Sequence, residues 1–129
     1  MTDRELIEMA IAASENAYAP YSNYKVGAAV ECASGEVYKG CNVENAAYGG
    51  TICAERNAYT TAVANGERKF NRIAVYAKGE DYCVPCGQCR QFMAEFGLDT
   101  LVLCVRGDGE YEAHPLREML PFAFSKEYL

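Results

Sequence analysis

The sequence predicts an α/β domain, a mixed five-stranded sheet flanked by helices on both faces. Three observations predict it. Nine segments alternate in the order α-β-β-α-β-α-β-β-α, several of them are short aliphatic runs of strand length, and no Pro/Gly-rich linker or low-complexity stretch divides the 129 residues. Apolar and aromatic residues make up 50% of the chain, and a chain of this length can bury roughly two thirds of its surface without disulfide staples. Residues 1–129 are therefore expected to form a single domain.

Thr2 and Glu5 have capping-box spacing, and Leu6, Met9, Ala10, Ala13 and Ala17 share one face of a helix expected to run to about Tyr18, before Pro20. Val26–Ala33 and Glu36–Cys41 read as a hairpin around Ser34-Gly35. Residues 42–50 lack periodicity and are expected as loop. The alanine-rich stretch from Cys53 to Ala64, stopped by Asn65-Gly66, is a second helix. Ile73–Ala77 and Leu101–Val105 are buried strands, separated by a third helix that Pro85 opens and Gly97 closes. Gly107-Asp108-Gly109 turns the chain into a short edge strand, 110–113, and Pro115–Leu120 makes a last helical turn or two.

The net charge of −6 and pI near 4.8 argue against a surface that neutralises phosphates, because nucleic-acid affinity comes largely from clustered Lys and Arg. A small-molecule ligand is expected instead. The charged start Met1-Thr-Asp-Arg-Glu5 and the absence of an apolar run near the ~20 residues of a bilayer span predict neither a signal peptide nor a membrane helix. A cytoplasmic address follows. In a reducing compartment, seven cysteines point to metal binding or catalysis ahead of a disulfide framework.

Cys86-Gly-Gln-Cys89, at a helix start, places two thiols on one helix face where the dipole favours thiolate. Cys53, at the start of another helix, gives three sulfurs that can converge on one ion. Three protein ligands are the pattern of a catalytic zinc, whose fourth position takes water, whereas structural sites are usually closed by four. Three thiolates should blunt the acidification of that water; a nearby base and a nearby cation would help, and Glu55 and Arg56 supply them. Glu55 stands two residues from Cys53, too close to chelate comfortably with the same geometry, yet can reach the water and shuttle its proton.

Cys53-Ala54-Glu55 with Pro85-Cys86-Gly-Gln-Cys89 is the all-cysteine form of the zinc-deaminase signature. The sequence resembles the small cytidine deaminases of pyrimidine salvage, also through Ala19-Pro-Tyr-Ser22, Val26-Gly-Ala-Ala29, Gly40-Cys-Asn-Val-Glu-Asn-Ala46, Cys89-Arg-Gln91, Leu120-Pro121 and Phe124. The likeness covers nearly the whole chain. It implies a cytidine-deaminase-like fold, one Zn2+ per subunit on Cys53, Cys86 and Cys89, and hydrolysis of cytidine and 2′-deoxycytidine to the uridines with release of ammonia. Glu55 would take the proton of the attacking water and deliver it to ring N3 and then to the leaving amine. Arg56 would hydrogen-bond the thiolates, Asn42 and Glu44 the ribose hydroxyls; the Ala54 backbone would contact the base and Tyr24 stack near it. Phe124 would enter the site of a neighbouring subunit in a homotetramer. Position 24 is often Phe in that family; Tyr24 adds a hydroxyl that needs water or a partner. Tyr128 stands where an acidic residue is common.

Competing readings stay open on the sequence alone. Cys83-Val-Pro-Cys86 is a second Cys-x-x-Cys, though Cys83 precedes Pro85 and is expected to be extended and off the helix face. Cys32, Cys41 and Cys104 lie in strand-like runs and fit core packing. The only histidine, His114, is expected at the surface or a cap. A deaminase of related aminopyrimidine compounds such as blasticidin S, a polynucleotide editor, and a non-catalytic zinc or redox module are the alternative functions. The acidic, compact chain disfavours the second of these.

Overall fold

A computed structural model describes all 129 residues. The first helix, α1 (Asp3–Ser14), opens where the sequence places it, with the Thr2 hydroxyl accepting the Glu5 N–H at 3.1 Å. It ends at Ser14 rather than near Tyr18. The Tyr18 N–H donates to Asn42 O and its carbonyl accepts from the Glu44 N–H, so a parallel bridge to Val43 satisfies this backbone in place of another helical turn.

Strands β1 (Val26–Cys32) and β2 (Val37–Cys41) form the expected antiparallel hairpin. Helix α2 (Ala54–Ala64) leads into β3 (Phe70–Ala77); α3 (Gly87–Ala94), β4 (Leu101–Val105), β5 (Tyr111–Pro115) and the short α4 (Leu116–Met119) complete the order. The segment expected as plain loop contains a single 3-10 turn, Tyr48–Gly50, and Lys126–Tyr128 forms another. β3 begins three residues before the expected Ile73, because Cys32 pairs with Phe70 beyond a bulge while Arg72 lies opposite both Glu31 and Leu101. Polar Asn71 and Arg72 hid this start from an apolar-run reading. β5 runs on through His114, opposite Val102, to Pro115; the proline is tolerated because β5 is an edge strand.

The sheet order is β2-β1-β3-β4-β5, and only β3 and β4 run parallel. Side chains alternate faces along each central strand. Ala29, Ala74, Tyr76, Leu103 and Val105 pack against Leu6, Ile7 and Ala10 of α1, while Ala28, Val30, Val75, Val102 and Cys104 face Ala58, Tyr59 and Met93 of α2 and α3. A sheet covered on both faces gives strands that read as unbroken apolar runs. Cys32 and Cys104 are fully buried in this core, as expected, and Cys41 is half-buried.

Two glycines let the helices ride close to the sheet. A Cβ on Gly27 would fall on Ala10 O and Ser14 N of α1, and one on Gly40 would fall on Ala58 N and Ala54 O of α2. The second contact sets the height of α2 over β2, and with it the position of the helix start that carries Cys53 and Glu55.

Candidate metal centre and cavity

Cys53 is the N-cap of α2 and Cys86 the N-cap of α3, each in extended backbone conformation with its side chain free of capping bonds. Cys89 lies one turn into α3 and is fully buried. The three sulfurs lie within 4.8 Å of one another. Two helix N-termini thus aim their unpaired N–H ends and dipoles at one cluster of thiols, which favours the anionic form. Without metal, a hydrogen bond from Cys89 and the Arg56 guanidinium hold the Cys53 thiol well below its ordinary range, and the Cys89 thiol, bonded to Cys53 and buried, is pushed up.

Arg56 Nη2 lies 3.6 Å from Cys53 Sγ and 3.4 Å from Thr51 O, and its Nε is buried without a partner. Glu55, the second residue of α2, is only 4% exposed. Burial first, and then the Cys53 thiolate, push its carboxyl up to about 7, against its own backbone N–H, Cys89 and Arg56.

Both ligand helices open onto a cavity of about 250 Å³ whose walls include Tyr24, Asn42, Glu44, Ala54, Glu55 and Cys83 together with Cys53 and Cys86. It shares Ser22, Glu44 and Thr51 with a second recess of about 310 Å³, rimmed by Tyr21 and Tyr48. A larger groove, about 730 Å³, runs past Arg68, Phe96, Arg117 and Lys126 and contains none of the thiols. Cys53, Cys86 and Glu55 all line the cavity of about 250 Å³.

Asn42 is nearly buried. Its Oδ1 accepts the Val26 N–H at 2.9 Å and its Nδ2 donates to Tyr24 O at 2.8 Å, leaving one amide hydrogen for a ligand. Glu44 accepts the Tyr21 and Ser22 N–H groups on Oε1 and the Ser22 hydroxyl on Oε2, which keeps its carboxyl below the usual range. The two residues thereby fix the 21–26 segment over the cavity. Phe124 is 58% exposed, stacks on Tyr128 with centroids 5.5 Å apart, and does not line its own chain's cavity.

Cys83 is buried, outside the three-sulfur group, and forms part of the cavity wall. Sequence reasoning assigned no role to Arg90 or Asn57. Arg90 Nε donates to Pro85 O at 2.8 Å and Nη1 to Met119 O at 2.9 Å, bracing the lead-in to Cys86; Asn57 Nδ2 ties α2 to Cys41 O at 2.7 Å, next to Asn42. The available signal for Arg90 is its place in Cys89-Arg-Gln91.

The donor set suits zinc: three close thiols at helix starts, a cationic neighbour with an unspent N–H, and no carboxylate or imidazole among the converging donors. Fold and site together define a three-layer α/β domain with a three-thiol centre suited to zinc. The comparisons with known proteins narrow this. Residues 1–105 match the family described as the cytidine and deoxycytidylate deaminase zinc-binding region, and the chain belongs to that family. It is 45% identical over 130 residues to a cytidine deaminase of Sporosarcina psychrophila, covering 100% of this chain and 96% of that one. A probable cytidine deaminase of Dictyostelium discoideum is 43% identical, over 98% of this chain and 89% of its own. The crystal structure of a cytidine deaminase from Burkholderia pseudomallei superposes with a TM-score of 0.93 at 47% identity, covering 96% of this chain and 100% of that one. The Mycobacterium tuberculosis enzyme gives 0.85 at 34%, over 96% and 98%. The expected fold class stands: a mixed five-stranded sheet with helices on both faces. No helix is long and apolar enough to cross a membrane.

Proposed function

We propose that residues 1–129 form a single zinc-dependent deaminase domain that hydrolyses cytidine and 2′-deoxycytidine to uridine and 2′-deoxyuridine, releasing ammonia, in pyrimidine salvage. The observation that carries this reading is the placement of buried Glu55 beside Cys53 in the wall of one small cavity. Cys53, Cys86 and Cys89 would hold the zinc, which when bound would supply Lewis-acid chemistry toward the attacking water. Glu55 accepts a proton from that water and delivers it to ring N3. As the C4–O bond forms and the C4–N4 bond breaks, the same carboxyl passes the second proton to the departing nitrogen, which leaves as ammonia. A carboxyl held near 7 by burial is matched to both accepting and giving. Arg56 balances thiolate charge, the Ala54 backbone and the Tyr24 ring hold the base, and the remaining Asn42 amide hydrogen and the Glu44 carboxylate meet the ribose hydroxyls.

The proposed assembly is a homotetramer in which Phe124 enters a neighbour's cavity. Support comes from the exposed apolar group Phe122, Phe124, Tyr128 and Leu129 at the chain's end. Light scattering on the purified protein tests it. A cytoplasmic address is supported by seven cysteines that are all free. A nucleoside rather than a polynucleotide ligand is supported by the absence of Lys and Arg from the cavity walls.

Purified protein incubated with cytidine should lose the ultraviolet absorbance of the aminopyrimidine and release ammonia in equal amount. No change with cytidine, or turnover of blasticidin S alone, would overturn the assignment.

A further inference from the structure

Tyr24 is held at three points. Its N–H donates to Ser22 Oγ at 3.0 Å, its carbonyl accepts from Asn42 Nδ2 at 2.8 Å, and its hydroxyl lies 3.9 Å from Cys83 Sγ. The first two bonds fix the backbone through Ser22 and Asn42; they leave the ring free to turn about its two side-chain torsions. The third contact fixes the ring. Cys83 is itself rooted in the fold, its N–H donating to Val105 O at the end of β4 and the residue as a whole only 6% exposed. Tyr24 and Cys83, 59 residues apart in sequence, both line the cavity that contains Glu55.

We propose that Cys83 is a positioning residue for substrate: its sulfur accepts the Tyr24 hydroxyl and holds that ring in place as the wall against which the pyrimidine stacks. The inference rests on the nucleoside-deaminase reading above. A ring already set before binding loses less freedom when the base arrives, so affinity rises without new contacts. Sulfur is a weak acceptor, which limits the effect to that of a modest hydrogen bond. Because the wall meets the base in ground state and transition state alike, the contact acts on KM and leaves kcat alone.

A double-mutant cycle tests this. Cys83→Val fills the thiol's space but removes the acceptor; in the zinc-loaded protein it should raise KM for cytidine about threefold to tenfold, and weaken uridine binding measured by calorimetry by the same factor. kcat should stay within about twofold and the zinc content should be unchanged. In a Tyr24→Phe background, where no hydroxyl remains to be held, Cys83→Val should move neither KM nor uridine affinity by more than about twofold. Equal losses in both backgrounds, or no loss in either, overturn the proposal. So does loss of zinc or of kcat, which would put Cys83 in the metal machinery instead. Should Cys83→Val fail to fold, Cys83→Ala completes the same cycle. A wild-type protein that neither turns over cytidine nor binds uridine overturns the functional reading, and the positioning role with it.

Discussion

The guanidinium of Arg56 reaches back along the first turn of α2 to lie 3.6 Å from the sulfur of Cys53. One residue of the helix start therefore supplies a thiolate and another supplies the cation that offsets it. Three thiolates on a divalent ion would carry one net negative charge, and Arg56 is the cation beside Cys53. Arg56→Gln is expected to weaken zinc affinity about 10- to 100-fold, measured by competition with a chromophoric chelator. Unchanged affinity would remove the charge-balance role.

Glu55→Gln keeps the shape of the side chain and cannot carry the proton. Activity toward cytidine should fall at least about 100-fold, while zinc content and uridine affinity hold. A variant that retained full turnover would eliminate Glu55 as the shuttle.

Neither recess of the site has a Lys or Arg in its walls, and the Glu44 carboxylate lies between them. A 5′-phosphate would meet a carboxylate and no cation to pair with. Cytidine should exceed cytidine 5′-monophosphate in kcat/KM by at least about 100-fold, a difference of roughly 3 kcal/mol or more in transition-state binding. Comparable values for the two would show that a cation reaches the site.

Arg72 binds Glu31 at 2.7 Å and Asp3 at 2.5 Å, joining β3 to β1 and to the start of α1. The Arg72 hydrogen bond to Glu31 holds that carboxyl below its ordinary value of 4.5. A depressed carboxyl binds fewer protons in the folded chain than in the unfolded one. Its contribution is therefore complete above about pH 5 and is lost as pH falls through 4.5 toward the depressed folded value. Arg72→Ala should cost about 2 kcal/mol at pH 7 in urea denaturation, and the gap from wild type should narrow as the medium is acidified below about pH 5. A constant gap would show that Glu31 is not the linked group.

Gly40→Ala puts a methyl group into the backbone of α2 at Ala54 and Ala58. The helix has to lift, at a cost of about 1–3 kcal/mol, and its N-cap Cys53 moves with it. Lower thermal stability and weaker zinc affinity should appear together. Gly49→Ala, with nothing within 4 Å of its new carbon, is the matched control and should change neither.

The chain's own order of residues was enough for whatever depends on neighbours a few positions apart. The spacing of Cys86 and Cys89, the pairing of Cys53 with Glu55, the Thr2 cap and the unbroken run Leu101–Val105 all express local periodicity and local chemistry, which a linear string records directly. Tertiary structure decided what depends on distant partners. It ended α1 at Ser14 by pairing Tyr18 with the Val43 segment, and began β3 at Phe70 through its match to Cys32. It spent most of the polar capacity of Asn42 and Glu44 on the 21–26 backbone and brought Cys83 to the hydroxyl of Tyr24. These contacts join residues 16 to 59 positions apart, and their free energy comes from pairing polar groups of distant segments, which no short window along the sequence contains.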